Sequence, residues 1–407
     1  MANRRFFLKG LLGAIPAGML ITRQSLAEPY LSPPATEQGR DLFKELGISS
    51  FINAAAPYST LSGAPVWPEV MEAMQYAQKN KARMGELHDA VGKRIASLTG
   101  TEAAMVSAGA TSAMILGTAA CLTGTDEKKI PQLPDLTGMK SEVIIQKGHE
   151  YSYLRALRSC GVKMIFVEDE AALIKTINEN TAMLHFCYNY RDRGRIPADR
   201  YVALGRAHGI PVFCDAATML PPADNIHHIV NIGFDMVCFS GGKGLRGPYN
   251  GGLLLGRTDL IDAAKMNAAP NDNAIGRGMK VSKEVIVGMM VALETSLEFD
   301  HDADLELKRG WLRYIGGEVE QLGGITSEIV ITKGPRNHPN LRLTWDQNKY
   351  KITPQEAKQT LRDGTPSIEI ASLFLSKGHF ELSAWMMEPG EEKTVAQRIR
   401  AVLMATL

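Results

Sequence analysis

A lysine set among glycines directly after an apolar run is the first feature with chemical content. Ser240-Gly241-Gly242-Lys243-Gly244 follows the apolar stretch 234–239. Glycine lets backbone approach a ligand closely and adopt conformations closed to other residues. An amine held there is poorly solvated, which disfavours its ammonium form and makes it nucleophilic. That is the property imine chemistry with an aldehyde requires, although a solvated turn lysine would fit the same five letters. Asp215 closes the apolar run in PVFCDAA, with one further run between it and Lys243. In a parallel sheet both residues then lie at carboxyl ends of strands, where α/β proteins bind ligands. Taken alone, Asp215 reads as the cap of a following helix.

Two more segments share this placement. Ser107-Ala-Gly-Ala-Thr111 stands between an apolar run and a helical pattern. Gly109, Ala110 and Thr111 leave backbone N–H groups open at a helix N-terminus, which suits a phosphate. Ser240 could add a hydroxyl, and a plain tight turn is the alternative. His149, in QKGHEYSY, also follows an apolar run. It could stack on a cofactor ring, move a proton or serve the core. Gly242, Gly244 and Gly247 match GxGxxG spacing, but the apolar run GGLLLG follows instead of the helix that a dinucleotide site demands.

The elements that must position these residues follow from periodicity. Apolar runs at 103–107, 142–146, 163–168, 181–187, 211–214, 234–239 and 251–255 read as strands. Helical patterns occupy 67–80, 86–98, 111–122, 151–159, 169–178, 198–207 and 258–267. Continuous apolar strands alternating with helices predict a mostly parallel sheet covered on both faces. The polar, Gly-rich stretch 268–281 interrupts the pattern, and a long helix over 282–298 leads away. Strands at 325–332, 339–345 and 380–386, mixed with helices, predict a smaller α+β domain. The expected organisation is a linker and lead-in segment over 28–66, a large α/β domain over 67–298 and a small one over 299–407.

Phosphate cradle, ring-level His, Asp and Lys, in that order and each after a strand, together resemble fold-type-I pyridoxal-phosphate enzymes. INAAAPYSTLSGAP (52–65), LHDAVGKRIASLTGTEAAMVSAGAT, FDMVCFSGGKGLRGPYNGGLLLGR and IGRGMKVSKEVIVGMMVALE resemble segments of bacterial selenocysteine synthase (L-seryl-tRNA selenium transferase) and its relatives. That group includes D-glucosaminate-6-phosphate ammonia-lyase. The resemblance covers about residues 50–300. It implies pyridoxal 5'-phosphate as cofactor, Lys243 as the Schiff-base lysine and Asp215 as partner of the pyridine nitrogen. It further implies Gly109, Ala110 and Thr111 on the phosphate, and His149 against the ring. Arg277 and Lys280 become candidates for a substrate carboxylate or phosphate, and Asn53 and Tyr58 for the mouth of the site. Gly242 departs from the acidic residue of the transferase's "SGDK". An export signal and a short linker take the place where the transferase carries its N-terminal tRNA-binding domain, so no counterpart of that domain is expected.

The resemblance points to a lyase. Lys243 would remove the α-proton of an amino acid or amino-sugar acid, a β-hydroxyl would leave as water, and a keto acid and ammonia would follow. Racemisation or epimerisation, and transamination, share the first step and remain alternatives; an exported binding protein that keeps the fold is a third. Enzymes of this fold mostly build their sites from two subunits, which implies a homodimer or larger homo-oligomer, with 268–281 as the loop reaching across.

Composition narrows the partners. Lys and Arg number 45 against 44 Asp and Glu, so no basic excess exists to coat nucleic acid. The small-molecule amino substrate is the expected partner. Arg4-Arg5-Phe-Phe-Leu-Lys, an apolar stretch from Leu11 to Ile21 and Ser25-Leu26-Ala27 before Glu28 read as a twin-arginine export signal over 1–27. Its apolar part falls short of the ~20 residues that span a bilayer. A periplasmic location is therefore expected, with membrane contact only through that signal, which would act as an anchor if uncleaved. Losing its four cations takes the formal charge from +1 to −3. Cys121, Cys160, Cys187, Cys214 and Cys238 form no CxxC pair and mostly sit in apolar runs, so buried free thiols are expected rather than a disulfide framework or a metal site.

Overall fold

The computed structural model describes residues 40–331, 338–372, 375 and 380–407. The export signal expected at 1–27 lies outside the described residues. Twelve strands occur in chain order among them: β1 Phe51–Ala54, β2 Ala103–Ser107, β3 Glu142–Gln146, β4 Lys163–Val167, β5 Thr181–Cys187, β6 Val212–Asp215, β7 Met236–Ser240, β8 Gly252–Gly256, β9 Ile325–Ile331, β10 Pro339–Trp345, β11 Ser367–Ile370 and β12 Phe380–Ser383.

Seven of these build the central sheet in the order β2-β8-β7-β6-β5-β3-β4. Every pairing is parallel except those of β8, which runs against both β7 and β2. Period-two alternation sorts the strand residues onto two faces. Ile144, Leu184, Phe186, Val212, Cys214, Val237 and Phe239 join one buried cluster. Val143, Ile145, Met183, Phe213, Met236 and Cys238 join the other. Both faces are buried, so the strands read as unbroken apolar runs; β5 is buried along its whole length.

The antiparallel strand has a consequence for the site. Gly252, which begins β8, pairs with Ser107 at the end of β2 and with Ser240 at the end of β7. The SAGAT turn and the lysine turn therefore flank one residue at one edge of the sheet. Asp215 lies one strand further on, opposite Cys238 of β7 and Cys187 of β5.

The rest of the chain forms a second core. β9, β10 and β12 make an antiparallel sheet in the order β12-β10-β9, against which the helices His301–Glu320 and Glu391–Met404 pack. The segment read from the sequence as a lead-in holds a strand: β1 pairs in parallel with β11, Phe51 opposite Ser367 through Ala54 opposite Ile370. Ile52 and Ala54 are buried in this second core with Leu382 and Leu403. A four-residue strand whose partner begins at residue 367 gives no local periodic signal. The helix read over 151–159 is a 3₁₀ turn, Ser152–Leu154, followed by one α-turn, Arg155–Arg158. No described helix is long and apolar enough to cross a membrane.

Candidate active site

A cavity of about 390 Å³ opens at the edge where β2, β5, β6 and β7 end. Gly109, Ala110, Thr111, Asp215, Ser240 and Lys243 all line it. These residues, expected from the sequence, are thus brought to one cavity, and the fold explains why each stands there.

The turn over 109–111 starts a 15-residue helix, Gly109–Thr123, whose N-cap residue Ala108 makes no side-chain cap bond. Its first N–H groups have no intrahelical partner, and they carry the helix's partial positive charge. Gly109 takes φ +83°, which disfavours other residues. Ser112 and Ser107 brace the turn through bonds to Ala108 O (2.8 Å) and Gly109 O (3.0 Å). Thr218 lines the same cavity, and its hydroxyl is buried without a partner among the described residues. Open helix donors are the kind of donor set a phosphate fits.

Lys243 is half-buried three residues past β7. Close backbone contact fixes its turn: Ala64 N–H donates to Gly242 O at 2.9 Å, and Tyr249 Oη donates to Ser59 O at 3.0 Å. A Cβ on Gly242 would come within 2.6 Å of Tyr249 O, so the acidic residue of "SGDK" has no room in this chain without a backbone shift. Tyr249, Asn250 and Ser59 also line the cavity.

Asp215 is 7% exposed and engages donors on both oxygens. Oδ1 accepts from Ala217 N–H at 2.9 Å, and Oδ2 accepts from Tyr151 Oη at 2.5 Å. Tyr151 Oη also meets His185 Nε2 at 3.1 Å, with the two rings nearly parallel. Burial, then the nearby Asp215 charge, push the Tyr151 phenol well above its ordinary range, so it stays protonated and donates. Burial holds the His185 imidazole down at about 3, hence neutral.

His149 is a correction. It is fully buried and does not line the cavity. Residues 147–149 form a 3₁₀ turn straight after β3, which folds the imidazole inward. There it lies edge-on to Phe186, with centroids 4.5 Å apart, and its Nδ1 accepts from Cys187 N–H at 3.2 Å. Burial pushes it down to about 4. Extended backbone at Tyr151 (φ −159°) then returns the chain to the cavity, so Tyr151 rather than His149 lines it.

The four expected substrate residues do not line this cavity either. Asn53 spends its side chain on its own turn: Oδ1 accepts from Ala55 N–H and Ala56 N–H, and Nδ2 donates to Ala56 O. Tyr58 borders a separate cleft with Lys358 and Arg362. Arg277 sits 3.5 Å from Asp272, and Lys280 is exposed; both belong to an excursion that leaves the sheet edge. The lining residues not expected from the sequence include Tyr151, Asn189, Tyr190 and Thr218 beside Ser59, Tyr249 and Asn250, and His185 stands against Tyr151. Spacing held one signal, since Tyr151 stands two residues from His149 in the same strand exit.

Four of the five thiols are buried and all are free. Cys187 borders the cavity; burial first, then Asp215, push its thiol up to about 12, so it is a poor nucleophile.

No protein-family profile matches the chain. It is 28% identical over 377 residues to 5'-C-glycyluridine monooxygenase-decarboxylase of a Streptomyces species, which spans 89% of this chain and 92% of that one. It is 26% identical over 373 residues to D-glucosaminate-6-phosphate ammonia lyase of Salmonella typhimurium, spanning 89% and 98%. L-seryl-tRNA(Sec) selenium transferase of Nitratidesulfovibrio vulgaris is 32% identical over 136 residues, spanning 30% and 28%. A solved D-glucosaminate-6-phosphate ammonia-lyase superposes with TM-score 0.80 at 25% identity, covering 90% of this chain and 99% of that one. Serine palmitoyltransferase from S. paucimobilis with bound PLP superposes with TM-score 0.54 at 16% identity, covering 88% of each. The fold is that of the fold-type-I pyridoxal-phosphate enzymes, and this chain is an enzyme using that cofactor.

The pairing at Gly252 yields a first prediction. A Cβ there would come within 2.5 Å of the Gly109 carbonyl carbon. Gly252→Ala should displace the phosphate turn and raise the dissociation constant for pyridoxal phosphate about tenfold, the scale of one lost hydrogen bond to a charged group. Fluorescence titration of the apoprotein measures it, with circular dichroism expected unchanged.

Proposed function

We propose that this enzyme is a lyase that eliminates water across Cα–Cβ of a β-hydroxy amino acid or amino-sugar acid, releasing ammonia and a keto acid. The observation that carries this is the convergence of Lys243, Asp215 and the 109–111 turn on one cavity, on a fold shared with an ammonia-lyase over nearly its whole length.

Gly109, Ala110, Thr111 and Thr218 would hold the cofactor's phosphate, Asp215 its ring nitrogen and Lys243 its aldehyde carbon. When bound, the cofactor supplies an aldehyde that captures amines and a ring that takes up the electron pair of a broken Cα–H bond. The protein does the rest. The Lys243 amine takes the proton from Cα and delivers one to the departing β-hydroxyl. The Asp215 carboxylate keeps the proton on the ring nitrogen. Tyr249, Asn250 and Ser59 wall the mouth. The balance closes without an oxidant: one water leaves on elimination, one returns on hydrolysis, and a hydroxy amino acid becomes a keto acid plus ammonia.

A screen of hydroxy amino acids and amino-sugar acids tests this, following ammonia, keto acid and the visible spectrum together. Ammonia and keto acid in equal amounts, without a keto-acid co-substrate, support the lyase. Deuterium entering Cα with no ammonia makes it a racemase or epimerase, and dependence on a keto-acid acceptor an aminotransferase. Oxygen uptake with carbon dioxide release would place it with its monooxygenase-decarboxylase relative. A protein that takes up no cofactor would be the exported binding protein.

Further parts of the proposal rest on the sequence. The chain works as a homodimer or larger homo-oligomer, and 268–281 reaches toward a neighbour, carrying Arg277 and Lys280. Residues 1–27 direct the folded, cofactor-loaded chain to the periplasm. Replacing Arg4 and Arg5 by lysine should keep the protein in the cytoplasm on fractionation.

A further inference from the structure

His185 and Tyr151 form a chain of contacts that ends on one carboxylate oxygen. Tyr151 has a single O–H, and it is given to Asp215 Oδ2 at 2.5 Å. The 3.1 Å contact between Tyr151 Oη and His185 Nε2 must then be carried by a proton on the histidine. A neutral imidazole has one N–H. His185 is fully buried inside β5, so its second nitrogen, Nδ1, is bare; that atom has no partner among the described residues. A bare acceptor is the less costly nitrogen to leave unpaired, since a buried donor without an acceptor forfeits a strong bond. The groups packed around the pair add no positive charge. His149 is itself neutral, Cys187 is a protonated thiol, and Phe213 presents its ring edge-on, with centroids 6.0 Å apart.

We infer that His185 and Tyr151 are positioning residues: the chain His185 Nε2–H to Tyr151 Oη–H to Asp215 Oδ2 stabilises the carboxylate's negative charge, so that a proton shared between Asp215 and the cofactor's ring nitrogen resides on the nitrogen. Hydrogen bonds to the charged form of an acid favour that form. Breaking the chain raises the carboxylate's hold on the proton and moves it from nitrogen to oxygen. This rests on the cofactor reading above but not on the identity of the substrate. It assigns roles to two residues outside the lysine, aspartate and phosphate set.

Three variants separate this from packing alone. His185→Gln offers an amide N–H where Nε2–H stood, His185→Leu removes the donor, and Tyr151→Phe removes the link. In wild-type apoprotein with ¹⁵N-labelled histidine, the His185 resonances, assigned by their loss in His185→Gln, should show protonated Nε2 and bare Nδ1, unchanged from pH 5.5 to 8.5. A protonated Nδ1, or titration in that range, overturns the inference without any variant. In protein loaded with ring-¹⁵N pyridoxal phosphate, the ring nitrogen should be protonated in wild type and His185→Gln, and shifted toward the neutral form in His185→Leu and Tyr151→Phe. The latter two should bind the cofactor about tenfold more weakly, and His185→Gln within twofold of wild type. An unchanged ring nitrogen in His185→Leu and Tyr151→Phe, or equal weakening in all three, would show that the pair only fills space. Failure of wild type to bind cofactor would sink the functional proposal while leaving the histidine tautomer measurable.

Discussion

Lys243→Ala should leave a folded, colourless enzyme with turnover reduced by at least ~10²–10⁴-fold, the range for loss of a positioned acid–base group. The argument is local. Lys243 stands among cavity-lining residues and is half-buried, and among the described residues no other lysine lines that cavity. Its turn is held by close glycine contacts and backbone bonds. Alanine therefore removes the amine and leaves the turn in place. Borohydride reduction of loaded wild type, followed by peptide mapping, should place the cofactor on Lys243; label elsewhere, or none, would end the assignment. Methylamine in the assay should restore part of the activity, since a small amine can enter the vacated space.

Asp215→Asn should be the second large effect. The amide keeps an oxygen for Ala217 N–H, which now bonds Oδ1 at 2.9 Å. It cannot balance a protonated ring nitrogen, and its NH₂ group would face Tyr151 Oη, reversing that bond's direction. Hydrogen bonds to charged groups contribute ~1.5–3 kcal/mol. At 1.36 kcal/mol per tenfold, turnover should fall roughly 10–150-fold with the fold retained. Steady-state kinetics beside circular dichroism checks both halves. Turnover within threefold of wild type would mean that the ring nitrogen needs no carboxylate.

The sequence carried the framework because every member sits where an unbroken apolar run stops. β3, β7 and β8 begin or end within two residues of the runs read from periodicity, and those ends are the sheet edge. Legibility failed where local phase decides direction. One 3₁₀ turn after β3 sends His149 inward and Tyr151 outward, and nothing in QKGHEYSY distinguishes this from the reverse. His185 was invisible for another reason: it lies within a strand buried from end to end, where a polar residue reads as noise in an apolar run. β1 was missed because its stability comes from Ser367–Ile370 and not from its neighbours.

That last pairing bears on biosynthesis. As the chain leaves the ribosome, the strand at 51–54 must wait for residues 367–370, while the seven-stranded sheet already has all its members. Non-local pairing of this kind is slow to form. Ser59, in the turn that follows the waiting strand, is also part of the cavity wall. An incomplete polypeptide thus has the lysine and the phosphate turn but an unfinished rim. Proteolytic fragments and premature termination products that lack residues 367–370 should therefore carry an unfinished cavity rim however well their first three hundred residues fold.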